Sequence, residues 1–134
     1  MKGFKISSLM TDAEKVLDGT WIDFGAGSRI KIAKVGNDQY NRMMRKLGKP
    51  VIRESRLSST EEESLRPVFI KVVARTILLG WEKFITDDEE EIQYSIQKAE
   101  ELLETVPEFY EEVMAAAADI NNFRPDAEED EAGN

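Results

Sequence analysis

Two stretches of the chain hold residue types that could do chemistry. "FITDDEEEIQY" sets five carboxylates in succession, Asp87, Asp88, Glu89, Glu90 and Glu91, a few positions after Trp81. "FGAGSR" sets two glycines beside a serine and an arginine. Clustered carboxylates can ligate a hard cation or work in pairs in hydrolysis, and a glycine loop can cradle a phosphate on its backbone N–H groups. Neither pattern completes. A calcium loop of the EF-hand kind starting at Asp87 needs glycine in its sixth place and glutamate in its twelfth, where this chain has Ile92 and Lys98. Hydrolytic and two-metal carboxylates face one another across a cleft, whereas these are consecutive and mutually repelling. The glycine stretch lacks the third glycine and the lysine of a P-loop, and its continuation reads as a strand where a helix is needed. The acids therefore read as an exposed turn, with Trp81 and Phe84 anchored before it and Ile92 and Tyr94 returning to the core after it. No catalytic residue, metal ligand or cofactor-binding residue is assigned, and an enzyme is not expected.

Composition narrows the chemistry further. The 134 residues include no cysteine and no histidine, which excludes disulfides, thiolate nucleophiles, imidazole acid–base catalysis and zinc sites built on nitrogen or sulfur. No apolar run approaches the roughly 20 residues that span a bilayer, and "MKGFKISSLM" lacks the apolar stretch and cleavage site of a leader. A soluble intracellular protein with no membrane partner is the expectation. The net charge of −9 is unevenly spread. Residues 1–28 carry a net −1, residues 29–56 a net +7, and residues 57–134 a net −15. An acidic protein is repelled by nucleic acid at long range, so the basic segment serves either to balance the acidic part or as a contact surface for phosphates or an acidic protein.

The elements that position these residues follow from periodicity. "GTWIDFGAGSRIKIAKVG" alternates Trp21 and Asp23 with Ile22 and Phe24, turns at the glycines, and alternates Ile30 and Ile32 with Arg29 and Lys31, which predicts a β-hairpin over about 20–34. Asn37 or Asp38 offers an N-cap for a short helix with Tyr40, Met43, Met44 and Leu47 on one face and Arg42, Arg45 and Lys46 on the other. Gly48 and Pro50 predict its end and a linker over about 48–60. "SSTEEESLRPVFIKVVARTILLGW" predicts the central core helix, opened by a capping box at Ser59 or Thr60, with Pro67 either in its first turn or at a kink, and closed at Gly80. Ser95 caps a third helix with Ile96, Ala99, Leu102 and Leu103 on its apolar face. Pro107 starts a fourth, with Phe109, Tyr110, Val113, Met114, Ala117 and Ile120. The expected fold is α+β and mainly α-helical, with an N-terminal hairpin and about four helices. Residues 1–123 are read as one globular domain, its helical part over about 61–123, and 124–134 as a disordered acidic tail.

The order of "GTWIDFGAGSRIKIAKVGNDQYNRMM" and "LLGWEKFITDDEEEIQYSIQKAEELLETVPEFYEEVMAAAADINNF" resembles the tail assembly chaperones of long-tailed bacteriophages and prophages. The shared landmarks are a tryptophan-bearing N-terminal segment, a linker, and an apolar helix ending in Gly-Trp. An acidic turn follows, then a Tyr-Ser helix start, a leucine-rich stretch with a proline, and a closing helix ending in asparagine and phenylalanine. The resemblance covers roughly residues 19–123.

It implies a non-enzymatic protein that coats the tape measure protein, keeps its apolar helical segments soluble, helps recruit tail tube subunits, and acts in the host cytoplasm without entering the finished virion. A homo-oligomer, or several copies per partner, is expected. Tyr40, Met43, Met44 and Trp81 are the expected partner-binding residues, since adjacent methionines and aromatics form an adaptable surface for an apolar helix. The alternative is an acidic regulator whose glutamates over residues 100–112 mimic nucleic acid and occupy a DNA-binding protein.

Overall fold

The computed structural model describes residues 1–55 and 61–126. The fold is α+β and mainly helical, with the hairpin near the N-terminus, as the sequence predicts. Strands β1 (Thr20–Gly25) and β2 (Ser28–Ile32) pair antiparallel, with Ile22 opposite Ile30 and Gly25 opposite Ser28. That register leaves a two-residue turn. Ala26 (φ 54°) and Gly27 (φ 80°) both take the left-handed conformation that such a turn requires to match the twist of its strands.

A third strand, β3 (Leu78–Glu82), lies on the other side of β2, also antiparallel, with Trp81 opposite Ile30 and Glu82 opposite Arg29. This corrects the predicted helix end at Gly80. The central helix α3 (Glu61–Thr76) stops one turn earlier, and after Ile77 the chain changes to strand. The run from Val72 to Leu79 is apolar but for Arg75 and Thr76, with no break at the junction, so periodicity alone could not place the change. Gly80 is a strand residue on the outer face, beneath Trp21 and Lys31, rather than a helix cap. Beside it the Arg29 guanidinium pairs with Glu82 at 2.8 Å and lies 4.6 Å from the centre of the Trp21 ring.

Two further elements differ from expectation. A short helix α1 (Ala13–Asp18), capped by the Asp12 carboxylate on the Glu14 and Lys15 N–H groups, occupies what reads as a polar lead. Helix α2 (Asp38–Ser55) continues past Gly48 and Pro50 into the predicted linker. Of that linker, residues 56–60 lie outside the described residues, as do the expected Ser59 and Thr60 caps. Pro67 lies inside α3 rather than in its first turn. Helices α4 (Ile96–Thr105) and α5 (Pro107–Ala118) begin where predicted: Ser95 Oγ accepts from Lys98 N, and Pro107 occupies the first turn of α5. Of the expected tail, Arg124 and Asp126 contact Lys15, and residues 127–134 lie outside the described residues.

The core forms between the inner face of the sheet and the helices. Ile30, Ile32, Leu78 and Trp81 meet Val73, Ile77, Leu103, Val113 and Phe123. Between β2 and α2 the chain crosses this core. Ala33 N donates to Ile77 O, Lys34 N to Val16 O and Val35 N to Ala117 O. Buried Asn37 completes the crossing: Nδ2 donates to Lys34 O (2.7 Å) and Thr76 O (3.3 Å), and Oδ1 accepts from Tyr40 N (2.9 Å) as the N-cap of α2. Removing that side chain orphans a buried carbonyl and a helix N–H together. Asn37→Ala is expected to cost about 2 to 4 kcal/mol of stability, read from the urea midpoint at constant slope.

Candidate functional site

The segment after β3 doubles back on itself. Ile92 N donates to Phe84 O, Ile85 bridges Glu91, and Thr86 N donates to Glu90 O. Thr86 Oγ1 accepts from Glu90 N at 3.1 Å, and Glu89 turns through a left-handed φ of 64°. A tight, hydrogen-bonded turn thus holds the five acids outward, all of them exposed. They make no ion pair among the described residues. Nor does any group of three or more acidic side chains converge as a metal site among those residues.

Trp81 fixes the base of this turn. Its Nε1 donates to Ile92 O at 2.7 Å, and its ring stacks on Phe84 at 5.2 Å and meets Tyr94 edge-on at 5.0 Å. Tyr94 in turn donates its hydroxyl to Leu78 O at 2.9 Å. Beyond Phe84 the aromatic packing reaches the surface. Phe24 from the hairpin, Phe84 from the turn and Phe109 from α5 form a triangle with centroids 5.7 to 5.8 Å apart. Around it Ile85, Ile92, Leu102 and Val106 line an open groove of about 540 Å³. Ser28 Oγ, donating to Lys83 O at 2.7 Å, locks the hairpin tip against the turn.

The lips of this groove are apolar and solvent-facing: Phe24 is 37% exposed, Ile85 57% and Val106 39%. The acidic turn stands directly beside them. Such a surface can bind by covering apolar area, with the acidic turn beside it favouring positive charge; Ser28 and Lys83 are the polar side chains of its lining. Coverage of each lip side chain is worth about 1 kcal/mol, from the transfer free energy of its exposed fraction.

The four residues expected to contact a partner are divided by the fold. Tyr40, Met43 and Met44 lie half-buried on α2, and Tyr40 packs against the core. Trp81 is 6% exposed and supports the groove from beneath. The lip residues Phe24, Ile85 and Val106 are not among the four. Each had a local signal, an apolar residue beside a glycine turn, an acidic run or a helix-starting proline, but nothing linear joined the three. Of the acidic face over residues 100–112, Glu100 pairs with Arg75 and Glu101 with Lys98.

Residues 35–134 match the YdaY prophage protein family. The chain belongs to that family. No curated protein and no solved structure matches it. As a prophage protein it places most of the groove, the acidic turn and α4 and α5, inside the family's matched region, while Phe24 and the hairpin precede it. No helix among the described residues is long and apolar enough to cross a membrane.

Burial raises the phenol pKa of Tyr94, of Tyr40 and of Tyr110, the last also through its proximity to Tyr40 and against the opposing effect of Arg66. The folded state therefore holds these protons more tightly than the unfolded chain. Stability is complete below the unfolded value near 10 and falls as pH rises from there through the folded values. Denaturation at pH about 9 and about 11 should show a smaller loss in Tyr94→Phe than in the unmodified chain.

Proposed function

We propose that this prophage protein is a tail assembly chaperone, a binding module rather than an enzyme, whose groove holds helical segments of the tape measure protein. The open apolar groove beside an acidic turn that makes no ion pair among the described residues carries this reading. A groove of that kind suits an amphipathic helix that lays an apolar stripe on Phe24, Ile85 and Val106 and sets lysine or arginine against residues 87–91. A long helical protein that presents such stripes repeatedly aggregates when it is made alone, and an acidic cover keeps the assembly soluble. In this reading several copies coat one tape measure chain in the host cytoplasm, help bring tail tube subunits to it, and leave before the virion is complete. Membership in a prophage family agrees with that setting.

Co-expression with the tape measure protein of the same prophage tests it. The expected outcome is a soluble complex holding several copies of this chain per partner. Capture should fall at least tenfold when Ile85→Glu and Val106→Glu are combined, a change of about 1.4 kcal/mol or more. A tape measure protein as insoluble with this chain as without it would overturn the proposal.

A further inference from the structure

Segment 1–10 stands out from the body of the fold. Phe4 (72% exposed), Ile6 (75%), Leu9 (43%) and Met10 (63%) project from it, and the single 3-10 turn Ile6–Leu9 buries none of its residues. Four apolar side chains in ten residues form an adhesive segment that the described residues leave largely uncovered. Lys2 and Lys5 alternate with these side chains, so the segment is basic and apolar by turns. The groove is apolar, with Lys83 the one charged residue among the described residues that line it, and the five exposed acids of residues 87–91 stand beside it between Ile85 and Ile92, so the two are complementary in apolar character and, at the turn, in charge.

Their positions decide how they can meet. The segment enters the body at Asp12, whose N–H donates to Phe123 O, beside the start of β1. The groove lies at the hairpin tip, past the far end of β1. A strand of that length spans about 20 Å. For Ile6 to reach the groove of its own chain, the residues between it and Asp12 would have to run close to fully extended, at about 3.3 Å per residue. The 3-10 turn and its Ser8 N to Lys5 O and Met10 N to Ser7 O bonds would be lost. A second copy meets neither cost. We propose that, when no other partner is bound, the groove is filled by segment 1–10 of a second copy of this chain. Phe4 and Ile6 then sit on the groove's aromatic floor, and Lys2 and Lys5 face the acidic turn. Donor and acceptor occupy opposite poles, so one contact leaves a free groove and a free segment, and further copies add head to tail.

The proposal rests on the reading above only in taking the groove as a docking surface, and its test uses this chain alone. Sedimentation of the full chain over a range of concentrations should show mass rising above the 15.3 kDa monomer, with association weakened by added salt. Phe4→Glu with Ile6→Glu removes the donor, and Ile85→Glu with Val106→Glu removes the acceptor. All four positions are solvent-exposed, and unchanged circular dichroism checks that each variant folds. Each double variant alone should be monomeric, its dissociation constant raised at least tenfold. An equimolar mixture of the two should form one-to-one pairs and nothing larger, because one supplies the only segment and the other the only groove. A chain monomeric at every concentration overturns the proposal, as does a donor variant that still assembles or a mixture that does not pair. A cross-link from residue 4 to residue 106 within a monomer places the segment in its own groove, which also overturns it.

Discussion

When β2 ends at Ile32 the chain turns inward, and the N–H groups of the next residues leave water for a place where an unpaired donor costs a few kcal/mol. Their acceptors come from three different elements: Ile77 after α3, Val16 in α1 and Ala117 at the end of α5. Asn37 adds its amide, which reaches the carbonyl of Thr76 while its oxygen starts α2. One crossing of five residues, buried at Ala33 and Asn37, thereby fixes where four helices stand relative to the sheet. The apolar core supplies most of the stabilising free energy, but it is non-directional. The hydrogen bonds of the crossing choose among the packings it would allow.

The acidic turn is hydrogen-bonded in place while its charges make no ion pair among the described residues. Thr86 closes the turn from within, Trp81 holds Ile92 from below, and Ser28 ties Lys83 to the hairpin. None of these bonds uses a carboxylate. The turn's backbone bonds therefore do not depend on its charges, and a site held in that way limits the ordering cost of binding.

Much of the fold is legible in the sequence because local rules agree with the outcome. Period-two alternation around Gly25-Ala26-Gly27 gives the hairpin, Ser95 and Pro107 mark the helices they start, and the exposed acids lie between returning apolar residues. What escapes is decided by distant partners. Leu78 to Glu82 become strand because β2 offers them an unpaired edge, although the run is as apolar as the helix before it. Gly48 and Pro50 are weak terminators where α2 packs along α3, since tertiary contact outweighs propensity. The short α1 had only its Asp12 cap as a signal. The groove was hidden for a related reason: its lips come from a hairpin, a turn and a helix junction far apart in the chain, and Trp81, the most conspicuous aromatic, is spent on support beneath them.

The sheet order has a consequence for synthesis. The hairpin pairs two neighbouring segments and can close soon after residues 20–32 leave the ribosome, but β2 must wait for its second neighbour until α2 and α3 have been made. Through that interval its apolar face and one edge have no native cover. Arg29 and Lys31 line the opposite face of the waiting strand. Alternating positive charge of this kind disfavours edge-to-edge pairing of like strands while that edge is open.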